Sequence, residues 1–366
     1  MENRKIKVAI THGDTNGIGY EVIFKVFADP AMLELCTPII YGSPKVAAYH
    51  RNALDIQANF SIINSAEEAH PDKLNLIATF DEEVKVELGA PSAEAGKAAY
   101  LALERAMEDY RNGLFDVLVT APINKNNIQS DNFRFCGHTE YIEQSMEGDA
   151  KALMILLNDR LRVALVTTHL PIKDVAAAIT KEAVMEKAEI FSDTLKRDFR
   201  VSKPRIAILS LNPHAGDNGV IGNEEEEIIS PAIAELSEKG INAFGPYAAD
   251  GFFGHGAYDT FDGILAMYHD QGLAPFKSLA AGNGVNYTAG LPIIRTSPDH
   301  GTAYEIAGKG TADEGSFRQA VYTAIDIYRN RYNYDLPFAN PLKKLYHEKR
   351  DDSDKVRFAI PKNKAE

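Results

Sequence analysis

Short apolar, β-branched runs alternate along this chain with segments of helical period, and that alternation constrains the fold more than any other feature. Residues 5–10, 38–41, 115–120, 162–168, 205–210 and 263–268 read as strands. Ser92 can cap a helix reaching about Asn112, with Ala95, Ala98, Ala99, Ala102, Ala106 and Tyr110 as its apolar positions and Gly113 as its stop. Residues 181–199 repeat Val184, Ala188, Phe191, Leu195 and Phe199 along one helical face. Phe317, Ala320, Val321, Ala324 and Tyr328 mark a closing helix. Strand and helix in turn imply an α/β protein with a mainly parallel sheet. At 366 residues the chain exceeds one simple core, which implies two domains. The stretch from about Asn330 to Glu366 is polar and basic and reads as an extension draped on the surface.

The loops that end these strands carry the chemistry. After the first strand comes Thr11-His-Gly-Asp-Thr-Asn-Gly-Ile-Gly-Tyr20, which fits either a ligand-lining loop or a tight turn. Ala121-Pro-Ile-Asn-Lys125 places an amide and a cation at another strand end. Gly137-His-Thr-Glu140 opens a helix, where His138 and Thr139 either donate to an anion or serve as a solvated His and an N-cap. The acidic run Glu224 to Glu227 opens a further helix and suits its dipole. The segment Met267 to Ala303 is the densest: it holds His269, Lys277, Asn286, Arg295, Asp299 and His300 among glycines that let backbone approach a ligand.

His169, His214 and His269 each follow a strand at its C-terminal end, the edge where parallel sheets bind ligands. Three imidazoles there would make a divalent-metal site with an open position. A strand-end histidine can equally be a hydrogen-bonded loop residue. With such a metal, oxidation of a secondary alcohol followed by decarboxylation and hydrolysis of a phosphoester are both open.

A formal charge of −13 argues against nucleic acid or an anionic membrane as the main partner, but not against a small anionic substrate in a cationic cleft. Two cysteines, Cys36 and Cys136, make neither a disulfide framework nor a Cys-based zinc site and fit a reducing cytoplasm. The purest apolar run, Leu153 to Leu157, is too short to span a bilayer.

Thr120-Ala-Pro-Ile-Asn-Lys125, Gly137-His-Thr-Glu140, Thr167-Thr-His-Leu-Pro171, Leu211-Asn-Pro-His-Ala-Gly216, Met267-Tyr-His-Asp-Gln-Gly272, Gly284-Val-Asn-Tyr-Thr288 and Arg295-Thr-Ser-Pro-Asp-His-Gly-Thr-Ala303, in this order, resemble the 4-hydroxythreonine-4-phosphate dehydrogenase family of vitamin B6 biosynthesis. The resemblance runs from about residue 6 to 330. It implies two α/β/α domains with a cleft between them, like the isocitrate and isopropylmalate dehydrogenases. It places residues 1–130 plus 280–330 in a cofactor-side domain, 131–279 in a metal-binding and dimerisation domain, and 331–366 in a C-terminal extension. It implies NAD-dependent oxidation and decarboxylation of 4-phosphooxy-L-threonine to 3-amino-2-oxopropyl phosphate by a cytoplasmic homodimer whose active site lies at the subunit interface.

By the same resemblance, His169, His214 and His269 hold a divalent metal (Zn, Mg or Co), completed across the dimer. His138, Thr139, Lys277, Asn286 and Arg295 contact substrate, Lys277 and Asp250 are the catalytic candidates, and Asp299, His300, Gly301, Thr302 and Ala303 hold NAD. Three departures stand out. Thr15 and Tyr20 occupy positions where the family has proline, Pro298 precedes Asp299, and the tail exceeds the usual length. The same chemistry on erythronate or threonate 4-phosphate, a metal-dependent phosphatase, and a non-catalytic sensor are the rival readings.

Overall fold

The computed structural model describes residues 4–80, 84–146, 148–280 and 282–340. Its strands are β1 (Ile6–Thr11), β2 (Cys36–Gly42), β3 (Phe60–Ile63), β4 (Leu74–Ala78), β5 (Val117–Thr120), β6 (Leu153–Leu157), β7 (Arg162–Leu165), β8 (Arg205–Leu209), β9 (Asn242–Tyr247), β10 (Gly263–Ala266), β11 (Val285–Ala289) and β12 (Arg295–Pro298). They hydrogen-bond in the order β3-β4-β2-β1-β5-β12-β11-β6-β7-β10-β8-β9. The first six and last four strands of that order form two parallel blocks. Between them, the pairings β12–β11, β11–β6 and β6–β7 are antiparallel. An odd number of reversals makes the two parallel blocks run in opposite senses.

Helices cover both faces. On one face a single core runs under both blocks: Val8, Ile10, Val117 and Val119 belong to it, as do Val285, Tyr287, Ile206, Ile208 and Leu265. The other face carries two separate cores. One joins Ala9, Ile39 and Leu118 to Ala99, Leu103 and Ala106 of the helix Ala93–Arg111. The other joins Met154, Leu156, Val163 and Ile264 to Leu273 and Phe276 of the helix His269–Ala280. The gap between these two cores is a cleft, with the antiparallel strands as its floor. The expected α/β/α layers and intervening cleft are present; the antiparallel centre was not anticipated by a mainly parallel reading. Leu153–Leu157, weighed above only against a bilayer, is the buried strand β6.

The helix Ala93–Arg111 starts as expected, with the Ser92 side chain accepting a hydrogen bond from the amide of Ala95. The closing helix corrects the sequence reading. It runs Gly315–Ala339, so residues 331–339 are helical instead of draped. The reason is Arg331, which is buried. Its Nε donates to Asp198 Oδ1 at 2.7 Å, one terminal nitrogen donates to the Tyr287 hydroxyl at 2.8 Å, and the other to the carbonyls of Leu291 and Pro292 at 3.2 and 2.8 Å. Asp198 ends the helix Lys181–Arg197, so one guanidinium joins elements far apart in sequence. The rest of the extension, 341–366, lies outside the described residues. Among those described, no helix is long and apolar enough to cross a membrane.

Candidate active site

The cleft floor follows from strand alternation. Successive side chains leave a strand on opposite faces. On β11, Val285, Tyr287 and Ala289 enter the continuous core, so Asn286 and Thr288 face the cleft. On β12, Thr296 turns away to donate to the carbonyl of Ala320, and Arg295 and Ser297 face the cleft. Met154 and Leu156 of β6 complete the floor in register, opposite Thr288 and Asn286. Loops from both blocks form the walls: Ala121 to Lys125 with Gly137 to Glu140 on one side, and His169, His269 and Lys277 on the other. Asp299, His300 and Gly301 close one end, and the cleft, open to solvent, has a volume of about 230 Å³.

The cleft is cationic and partly unsatisfied. Arg295 is 3% exposed, and its Nε and one terminal nitrogen donate to Thr120 Oγ1 at 3.0 and 2.6 Å, while the other terminal nitrogen donates to Thr288 Oγ1 at 3.2 Å. Burial pulls the guanidinium down to about 10, with the Glu140 charge working against it, so it stays cationic at neutral pH. His138 is buried on the first turn of the helix His138–Ser145. Burial, then the charges of Arg295 and Lys125, push its imidazole well below its ordinary range, so it is neutral. His138 Nε2, Asn286 Oδ1 and His300 Nε2 have no hydrogen-bond partner in the protein. Buried polar atoms without partners are costly unless a ligand or water supplies them. Thr139 Oγ1 lies 3.3 Å from Thr288 Oγ1, and Lys277 Nζ donates to the carbonyl of Asp299 at 3.0 Å.

The sequence-predicted residues therefore separate. His138, Thr139, His169, His269, Lys277, Asn286, Arg295, Asp299, His300 and Gly301 converge on the cleft. Thr302 and Ala303 do not line it: the Thr302 carbonyl accepts from the amide of Ile18, and Ala303 takes a left-handed turn. Asp250 is exposed on the short helix Ala249–Gly254, away from the cleft. His214 is exposed in the left-handed turn Pro213–Asp217 after β8. Among the described residues, no three His, Cys, Asp or Glu side chains converge to hold an ion within one chain. The first loop, residues 12–19, is wholly buried and lines no part of the cleft.

Two imidazoles nevertheless suit a metal. The His169 and His269 rings lie 6.0 Å apart. His169 Nδ1 is 3.0 Å from Glu140 Oε1, and His269 Nδ1 is 2.7 Å from Asp270 Oδ1. A carboxylate on Nδ1 leaves Nε2 as the ligating atom, the usual outer-shell arrangement of metal-binding histidines. Burial opposes ionisation of Glu140. The hydrogen bond from His169, its own backbone amide and the charge of Lys125 outweigh that and hold it below the usual carboxylate range.

Sequence reasoning noted Lys125 as a strand-end cation but not its partner, and it missed other residues. Lys125 Nζ sits 3.0 Å from His169 Nε2. Gln271 takes the amide of Met267 at 2.7 Å and donates to the carbonyl of Ser210 at 2.6 Å, pinning the ends of β10 and β8 together. The acidic run does more than meet a dipole: buried Glu225 accepts from the amides of Leu211 and Asn212, both at 2.8 Å, and so fixes the loop bearing His214. Only the placement of Lys125 and Glu140 inside the quoted motifs could have signalled their roles.

Residues 34–324 match the family model described as pyridoxal phosphate biosynthetic protein PdxA. A 4-hydroxythreonine-4-phosphate dehydrogenase from Bacteroides thetaiotaomicron is 65% identical over 358 residues, which is 98% of each chain. One from a Sulfurihydrogenibium strain is 43% identical, over 89% of this chain and 99% of its own. A crystal structure of the Klebsiella pneumoniae enzyme of that name superposes with a TM-score of 0.76 at 32% identity, covering 89% of this chain and 99% of the other. The chain accordingly belongs to the PdxA family, whose members among these relatives are dehydrogenases.

Proposed function

We propose that the cleft binds 4-phosphooxy-L-threonine and that the protein oxidises its C3 hydroxyl with NAD, with loss of CO2, giving 3-amino-2-oxopropyl phosphate for vitamin B6 synthesis. The observation that carries this reading is the cationic floor: a buried Arg295 beside neutral His138 and an unpartnered Asn286, in a space suited to one small phosphorylated acid. Arg295 presents a charged, preorganised fork to a phosphate or carboxylate. His138, Thr139 and Asn286 supply neutral contacts that fix the orientation of the substrate. Lys277, on the wall, is the proton-transfer or phosphate-anchoring group. Asp299, His300 and Gly301, with Thr302 and Ala303 behind them, are the NAD-side loop.

His169 and His269 would hold a divalent ion, Zn, Mg or Co, with His214. When bound, such an ion supplies Lewis acidity at the reacting oxygen. His214 and Asp250 are both exposed and outside the cleft of their own chain, which supports their entering the cleft of a second copy in a homodimer. The domain boundary in this reading falls at the β11–β6 pairing, between 1–130 plus 280–330 and 131–279. Two free cysteines accord with a cytoplasmic enzyme.

Purified protein given NAD, a divalent metal and 4-phosphooxy-L-threonine should produce NADH at a rate that a chelator abolishes. NADH formed only from erythronate or threonate 4-phosphate would reassign the substrate. Free phosphate without NADH would replace the reading with a phosphatase, and binding without turnover with a sensor.

A further inference from the structure

His169 is gripped from both sides, and the two contacts together determine its state. Lys125 Nζ lies 3.0 Å from Nε2, and Glu140 Oε1 lies 3.0 Å from Nδ1. An ammonium has hydrogens to donate and no lone pair to accept with. A hydrogen bond between Lys125 and His169 therefore requires the lone pair on Nε2. The ring proton then sits on Nδ1, where it donates to the carboxylate. The tautomer follows from the donor inventory of the two neighbours.

We propose that Glu140 is a positioning residue that holds His169 in this tautomer, and that Lys125 is a displaceable cation that occupies the Nε2 position until a metal ion takes it. This rests on the reading of His169 as a metal ligand. Neither neighbour is a ligand, and they act with opposite sign. Glu140 raises affinity for the ion by presenting Nε2 ready to bind and by adding negative charge behind the ring. Lys125 lowers it, because the ion must break an existing contact and displace a like charge. The displaced ammonium remains at the wall of the same cleft, beside Gly137 and His138, where an anionic substrate group can receive it. Ion and anionic substrate should accordingly favour each other's binding.

The test is Zn²⁺ binding by calorimetry, with the imidazole tautomer read by nitrogen NMR in metal-free protein. Glu140→Ala should weaken Zn²⁺ about 10- to 100-fold, and Glu140→Gln, which keeps an acceptor oxygen, should recover much of that loss. Lys125→Met should tighten Zn²⁺, by about tenfold. In metal-free wild type the His169 proton should be on Nδ1, and Glu140→Ala should mix the tautomers. An Nε2-protonated His169 in the wild type, or Zn²⁺ affinity unmoved by both variants, overturns the proposal. His169→Ala separates the underlying reading: if it binds Zn²⁺ as wild type does, His169 is not a ligand, and the NMR result still decides whether Glu140 positions the ring.

Discussion

The segment following β1 and the lining of the cleft are written in the same residues, His, Asn, Asp, Thr and Gly, yet the protein uses them in opposite ways. In the first segment the polar groups are turned inward. A Cβ on Gly13, which has φ +74°, would meet the Pro122 carbonyl oxygen at 2.3 Å, and one on Gly17 would meet that of Thr302 at 2.8 Å. His12 stacks on Tyr20 at 5.1 Å, and Tyr20 on His50 at the same distance. The glycines serve close packing of backbone on backbone, and Tyr20 fills the centre of the stack. In the cleft the polar groups face space, with Arg295 and Asn286 held by floor strands and His138 by a helix start in the wall. Neither composition nor a missing partner distinguishes scaffold from site, since His12 and Thr15 also carry unpartnered buried atoms; bordering the open cleft does.

The contrast breaks most readily at Arg295. Arg295→Met removes a buried charge aimed at the ligand and should cost about 3 kcal/mol of transition-state binding, roughly 10²-fold in kcat/KM. The denaturant midpoint should stay near that of wild type. A comparable loss of stability with intact turnover would make Arg295 part of the scaffold.

Gly13→Ala should behave in the reverse way, destabilising by about 2–3 kcal/mol through strain at positive φ and overlap with Pro122, while the folded fraction keeps its KM. Urea denaturation with parallel kinetics measures both. A raised KM with unchanged stability would return this segment to the binding site.

The smallest effect is one of pH. Burial, then the neighbouring His50, depresses His12 to about 3, and burial also lowers His50. Their folded-state values lie below the unfolded value near 6.5, so the unfolded chain takes up protons first as pH falls. The contribution of His12 is therefore complete above about pH 6.5 and declines from there toward pH 3, by up to about 1.4 kcal/mol per pH unit, and His50 acts in the same direction. His12→Phe, which keeps the stack, should flatten that slope between pH 7 and 5. An unchanged slope would assign the acid sensitivity elsewhere.

How far the fold was legible depended on whether its signals were local. The Ser92 cap, the helical repeat from Val184 to Leu195 and the strands β1, β5, β7, β8 and β10 declare themselves in neighbouring residues. The strands β11 and β12 do not, because one face of each is the cleft floor, and Asn286, Thr288, Arg295 and Ser297 interrupt the apolar pattern that marks a strand. The candidate site followed the same division. His138, His169, His269 and Arg295 were found through motifs, whereas Lys125, Glu140, Glu225 and Gln271 act through partners brought near only by folding. His214, in a turn, and Asp250, on a short helix, are exposed because the strands before them, β8 and β9, lie at the far edge of the sheet.

Arg331 has a consequence for how the molecule is held together. Asp198 and Tyr287 are both buried and wait on a guanidinium encoded nearly at the end of the described chain. Without that guanidinium the buried Asp198 carboxylate would keep the Tyr287 hydroxyl but lose its counter-charge, which is unfavourable. The last described helix therefore completes the polar pairing beside β11 instead of merely covering the sheet.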